Sequence, residues 1–165
     1  MKYTNTSRPR VALFEPRIPQ NTGTIGRSCL AFDLALDIIK PTGFSFEDKY
    51  LKRAGLDYWY SVDVHIYESF DEYKNKFNSS RIIAFTKKSK NSISNLNYNS
   101  SDILLFGRED TGLPDSIMKK CGVIAGIPMP GGKNKMKPGG VRSLNLSVAC
   151  GIVCFSACDQ LNLLS

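Results

Sequence analysis

At 165 residues and 18.3 kDa the chain has about the length of one domain, enough to bury a sizeable core. Hydrophobic residues at 42% and charged residues at 22% place it among globular proteins and exclude a disordered or low-complexity chain. A net charge of +7 is the footprint of a domain that meets a polyanion, although basicity alone does not identify one.

Residues 1–9 carry basic side chains with no apolar run behind them, so they are expected to be a flexible lead-in rather than a secretory signal. Residues 10–14 (RVALF) form a short apolar run that stops at Glu15-Pro16, which reads as a buried strand. A proline-set loop follows over 17–21. Thr22 then caps a helix over 23–32, where Ile25, Cys29, Leu30 and Phe32 fit helical spacing. A second strand over 36–39 is closed by Pro41-Thr42-Gly43, and a charged helix over 46–54 ends near Gly55. Residues 62–66 give a third strand, after which Ser69 caps a short helix running through Phe77.

Residues 82–86 are a fourth strand, and the polar stretch 87–101 shows no period. Residues 102–106 (DILLF) are a fifth strand ending at Gly107. Pro114 opens a helix to about Lys120, residues 123–127 give a sixth strand, and the last helix runs from about Ser143 to Leu161. Continuous apolar strands alternating with helices predict a single α/β domain over 1–165, with a mainly parallel sheet and helices on both faces. Ligands of such sheets sit beyond the carboxyl ends of the strands.

The five cysteines are odd in number and form no CxxC pair. Cys150, Cys154 and Cys158 recur every four residues and share a helix face, while His65, the one histidine, is far away. Reduced, buried thiols are therefore expected, with no metal site and a cytoplasmic setting. The most apolar stretch, 144–155, is too short to span a bilayer and carries Asn145 and Ser147. Positive charge falls in patches: Lys49, Lys52 and Arg53; Lys87, Lys88 and Lys90; and Lys133, Lys135, Lys137 and Arg142, the last group without an acid. Such a distribution suits a folded surface that touches a nucleic-acid backbone at several points.

Three strand ends carry unusual residues. The first strand is followed by EPRIPQNTGTIGR, the fifth by GREDTGLP, and the sixth by a Gly- and Lys-rich loop that leads into SLNLSVA. Taken singly, each has a plain structural reading as a cap or a solvated turn. Together they converge on one edge of one sheet. With one histidine and no nucleophile elbow, a hydrolytic triad is not expected, and neither GxxxxGK[ST] nor GxGxxG is present. What remains is a loop-built pocket for an uncharged base and a polar cofactor tail.

NTGTIGR, GREDTGLP and IPM…SLNLSVA, in that order, resemble the three signature motifs of the SPOUT class of RNA methyltransferases. With EPRIPQNTG and EDKYLKRAGLDYW, the chain is similar to the small branch that 2′-O-methylates the wobble nucleotide of tRNA, cytidine or uridine. The resemblance implies a C-terminal deep trefoil knot, which general folding rules would have rejected. It implies S-adenosylmethionine as cofactor, held at Phe85, Gly107, Gly112, Ile127, Ser143 and Leu144. Glycine at 107 and 112 would let backbone approach the adenosine.

Catalytic roles carry over to Arg27, Asn21, Glu109, Ser143 and Asn145, and RNA contacts to Arg17, Lys52, Arg53, Lys87, Lys88 and Arg142. A guanidinium stays protonated, so Arg27 is expected to clamp a phosphate and stabilise a developing alkoxide rather than act as a base. The class also implies a homodimer through the last helix, where Ser147, Cys150, Gly151, Cys154 and Cys158 form a small-residue stripe. The chain departs from the branch's pattern at residues 131–141, an insertion between IPM and the serine motif. Two rival readings stay open: methylation of ribosomal RNA or another tRNA position, and a catalytically silent RNA-binding homologue.

Overall fold

A computed structural model describes residues 7–132 and 141–165. Six strands form one parallel sheet: β1 (Arg10–Phe14), β2 (Ala35–Ile39), β3 (Val64–Tyr67), β4 (Ile82–Phe85), β5 (Ile103–Phe106) and β6 (Val123–Ala125), in the order β3-β2-β1-β5-β4-β6. Alternate residues of each strand point to opposite faces, and both faces are apolar, so both must be covered. On one face Val11, Leu13, Leu36, Ile38, Ile83 and Leu104 pack against α1 (Pro19–Phe32) and α5 (Leu146–Gln160). On the other, Ala12, Phe14, Ile82, Ile103 and Leu105 pack against α3 (Phe70–Lys76) and α4 (Asp115–Met118). The short α2 (Lys49–Gly55) lies on α1 and is followed by a 3-10 turn, Leu56–Ser61.

Among the described residues two carboxylates are fully buried, and both are satisfied as a buried charge requires. Asp37 accepts from Arg10 at 2.7 and 2.6 Å and from the Tyr73 hydroxyl at 2.7 Å. Asp102 accepts from Arg81 at 2.9 and 2.7 Å and from the Asn99 N–H. Among the described residues no helix is long and apolar enough to cross a membrane.

Several expectations from the sequence need correction. Thr22 is not a cap: α1 begins at Pro19 with Ile18 as its N-cap, and Thr22 is buried inside the helix. Residues 7–9 do not hang free, since Arg8 ion-pairs with Asp33 at 3.2 Å and donates to the Phe32 carbonyl; residues 1–6 lie outside the described residues. The helix expected from Ser143 starts at Leu146, where the Asn145 side chain accepts from the Ser147 and Val148 N–H groups. Pro114 stands one place outside α4, as its N-cap.

The cysteines of the small-residue stripe of α5 face inward, while Ser147 and Gly151 stay half-buried. Cys150, Cys154 and Cys158 are completely buried in the subunit's own core with Cys29 and Ile25. The outward face carries Val148, Ile152 and Phe155 at i, i+4 and i+7, all exposed.

The unperiodic stretch after β4 is pinned by point contacts. Ile93, Leu96 and Tyr98 are buried, and the Gln160 side chain near the end of α5 accepts from Tyr98 N–H and donates to the Leu96 carbonyl. The same stretch clasps the chain leaving β6: Gly126 N–H donates to Asn91 O at 2.8 Å and Ile93 N–H to Gly126 O at 3.0 Å.

Candidate active site

The three motif loops meet at the carboxyl edge of the sheet around a cavity of about 400 Å³. Its apolar wall is formed by Phe85 and Phe106, whose rings stack at 5.0 Å, with Ile127, Leu144 and Leu146. All six residues expected to hold a cofactor line it: Phe85, Gly107, Gly112, Ile127, Ser143 and Leu144. So do Asn21, Glu109 and Asn145.

A hydrogen-bonded chain joins these last three. The Glu109 carboxylate accepts from Arg17 N–H at 2.8 Å, Ile18 N–H at 3.0 Å and Asn21 Nδ2 at 3.4 Å. It therefore caps α1 from a loop some ninety residues away in sequence, doing what no side chain at the helix start does. Asn21 Oδ1 accepts from Asn145 Nδ2 at 3.0 Å, and Asn145 Oδ1 caps α5. One network thus fixes the first, second and third motifs relative to one another.

Gly107 and Gly112 line the cavity, and the folding of their own loop makes a separate demand for glycine at both positions. A Cβ on Gly107 would stand 2.3 Å from the Gly112 carbonyl carbon and 2.4 Å from Leu113 N. Glycine is required because the 108–112 loop folds back over it, held by paired Arg108–Gly112 backbone hydrogen bonds. Gly112 has φ +71°, where any side chain is strained. Within the loop Arg108 grips Asp110 at 2.9 and 2.8 Å and holds that carboxyl well below the usual carboxylate range. The Arg108 hydrogen bonds outweigh desolvation, which alone would push the carboxyl up.

Arg27 does not line this cavity. It lies six residues beyond Asn21 on α1, about 9 Å along the axis, exposed, with its guanidinium 5.3 Å from the centre of the Tyr58 ring. The expected RNA contacts separate in the same way. Lys87 and Lys88 are exposed at the cavity wall itself, whereas Arg53 and Arg142 are exposed away from it. Arg17 is partly committed, its guanidinium 3.5 Å from Glu15 and its main chain packed where Gly43 leaves room. The side chain of Lys52 and residues 133–140 of the insertion lie outside the described residues.

Sequence reasoning missed Phe106, whose apolar signal was assigned wholly to the strand core, and Tyr58, which sits in an unpredicted 3-10 turn. Among the described residues no group of three or more His, Cys, Asp or Glu is gathered to hold a metal ion.

Comparison with known proteins agrees with this geometry. Residues 8–155 match the model of the SpoU rRNA Methylase family. The tRNA (cytidine(34)-2′-O)-methyltransferase of Escherichia coli (strain K12) is 38% identical over 151 residues, covering 92% of both chains. A solved structure on the 2-OH methylation of C/U34 on tRNA superposes with a TM-score of 0.86 at 36% identity, covering 96% of this chain and 99% of that one. An AdoMet-bound rRNA methyltransferase from Sinorhizobium meliloti superposes with a TM-score of 0.80 at 25% identity, covering 95% of this chain and 58% of that one.

Proposed function

The chain belongs to the SpoU rRNA methylase family, and from that premise we propose that it methylates the ribose 2′-oxygen of the wobble nucleotide of tRNA, cytidine or uridine 34. The observation that carries the reading is the convergence of all three motifs on one cavity, tied together through Glu109, Asn21 and Asn145. The methyl donor is S-adenosylmethionine, and the cavity fits it. Its volume lies in the range of small-molecule sites. The stacked Phe85 and Phe106 with Ile127 and Leu144 would offer an apolar slot for a base, and Lys87 and Lys88 at the cavity wall would offer cations to a carboxylate tail.

When bound, the cofactor supplies an electrophilic methyl group on sulfur. The chain's own residues do the rest. Ser143 and Asn145 hold groups at the mouth of the cavity, while Asn21 and Glu109 keep the loops in register. Arg27 grips a phosphate beside the target and stabilises the negative charge that develops on the 2′-oxygen. Exposed Arg53 and Arg142, and Arg17 and Lys52 in the same reading, bind the tRNA backbone, where charge rather than sequence is read.

Because Arg27 lies outside its own cavity, the reaction requires a second copy of the chain to bring an Arg27 to it. The exposed Val148, Ile152 and Phe155 face of α5 supports a homodimer through the last helix. The clasp of Gly126 by residues 91–93, with α5 returning from the sheet edge to pack on α1, supports a trefoil knot at the C-terminal end of a single domain. A tRNA substrate and five free cysteines support a cytoplasmic setting.

The test is methyl transfer from labelled S-adenosylmethionine to total tRNA, followed by mapping of the product. A 2′-O-methyl group at the first anticodon position is expected. Modification at another tRNA position, or of ribosomal RNA alone, overturns the reading.

A further inference from the structure

The 3-10 turn Leu56–Ser61 meets α1 at one tight point. A Cβ on Gly26 would stand 2.8 Å from Trp59 Cζ3 and 3.5 Å from Val62 Cγ2, so the indole lies directly against the helix backbone where no side chain fits. That contact sets the turn's register on α1. The residue before the indole, Tyr58, is thereby presented to the residue after the glycine, Arg27, with the guanidinium carbon 5.3 Å from the ring centre. Tyr58 is 47% exposed, so the ring is not there to fill the core.

Among the described residues the Arg27 guanidinium meets no carboxylate. The choice of partner has a chemical consequence. A carboxylate would hold the arginine by occupying its N–H donors and neutralising its charge, and would compete with a phosphate for both. An aromatic face holds it through the ring quadrupole and leaves the donors at the edge of the guanidinium plane available. It restrains the side chain and keeps the charge.

We infer that Tyr58 is a positioning residue for Arg27: an aromatic rest, indexed on α1 by the Gly26–Trp59 contact, that holds the guanidinium ready for an RNA phosphate. The inference rests on the role given to Arg27 above. Tyr58 touches no reacting atom and acts through Arg27 alone.

The test compares Tyr58→Phe and Tyr58→Leu in methyl transfer to tRNA and in the NMR spectrum of the Arg27 side chain. Tyr58→Phe keeps the ring and is expected to keep kcat within about twofold. Tyr58→Leu keeps bulk without the quadrupole, and a loss of about tenfold in kcat is expected, with the KM for tRNA and the Kd for S-adenosylmethionine within about twofold. The Arg27 Nε–Hε resonance, shifted by the ring current in the wild type, is expected to move in Tyr58→Leu and to stay in Tyr58→Phe. The stack can therefore be read even if turnover is lost for other reasons.

Wild-type kcat in Tyr58→Leu overturns the inference. So does a loss confined to KM, which makes Tyr58 an RNA contact, and so does a Tyr58→Phe variant as slow as Tyr58→Leu, which makes the hydroxyl the active group. A wild-type protein inert on tRNA counts instead against the proposed function, and the Arg27 resonance still reports whether the stack forms.

Discussion

The two ends of the first motif, Asn21 and Arg27, sit on one helix and lead different lives. Asn21 is buried, bonded on one side to Glu109 and on the other to Asn145, and lines the cavity. Arg27 is exposed, carries no such bonds among the described residues, and rests on a tyrosine face. The contrast separates two kinds of work within seven residues of sequence. One end is scaffold, where the Asn21 amide is bonded on both sides and loss of one partner strands the other. The other is a free charge kept in place, which is what a group needs if it is to be used by something outside the subunit.

The largest effect that sharpens this contrast is expected from Arg27→Ala. Turnover falls by about two orders of magnitude or more, while calorimetric affinity for S-adenosylmethionine stays at the wild-type value, because the cavity is untouched. Glu109→Ala should give the opposite pattern. It leaves two backbone N–H groups and Asn21 without their acceptor, lowering stability by about 1–3 kcal/mol. Cofactor affinity weakens with it, and the Arg27–Tyr58 stack remains; a melting curve and a titration check both.

Gly26→Ala tests the other side of the comparison. Its Cβ falls 2.8 Å from the Trp59 ring, and overpacking there costs about 1–3 kcal/mol. Turnover is expected to drop more than cofactor affinity, since the 3-10 turn shifts and the cavity does not.

The effect least specific to either end of α1 is that of alkali. Burial pushes the Cys158 and Cys121 thiols up to about 11 from an ordinary value of 9.0. Above about pH 9 the unfolded chain releases protons that the folded chain keeps, so stability is complete below that pH and declines as it rises toward 11. Melting temperatures recorded from neutral pH upward should be level and then fall, and Cys29 of α1, whose thiol burial also pushes up, adds to the fall.

The sheet and the gathering of the three motif loops at its carboxyl edge were legible because both are written locally. Continuous apolar runs specify strands buried on both faces, and the glycines of GREDTGLP announce a tight loop. What escaped is what depends on partners remote in sequence. Thr22 looked like a cap because Ser, Thr, Asp and Asn are the usual caps, but the α1 N-terminus takes its acceptor from Glu109, about ninety positions later.

The cysteine stripe of α5 has the right spacing for a helix contact, and spacing cannot say which side of the subunit boundary the contact lies on. Gly107 read only as room for a ligand, and the demand that the 108–112 loop makes on the same position was hidden. Tyr58 was invisible because nothing in DYWYS marks a 3-10 turn or aims a ring at a residue thirty positions earlier.

A mixing experiment bears most directly on the claim that Arg27 and the cavity are two halves of one reaction contributed by different copies. Arg27→Ala and a cavity-blocked variant such as Ile127→Arg are each expected to be inactive alone. Co-refolded in equal amounts, they should recover about a quarter of wild-type activity, since about half of randomly formed dimers are mixed and each mixed dimer holds one intact Arg27 facing one intact cavity. A mixture as inactive as its two components would contradict the account, and would mean that Arg27 serves the cavity of its own subunit or none.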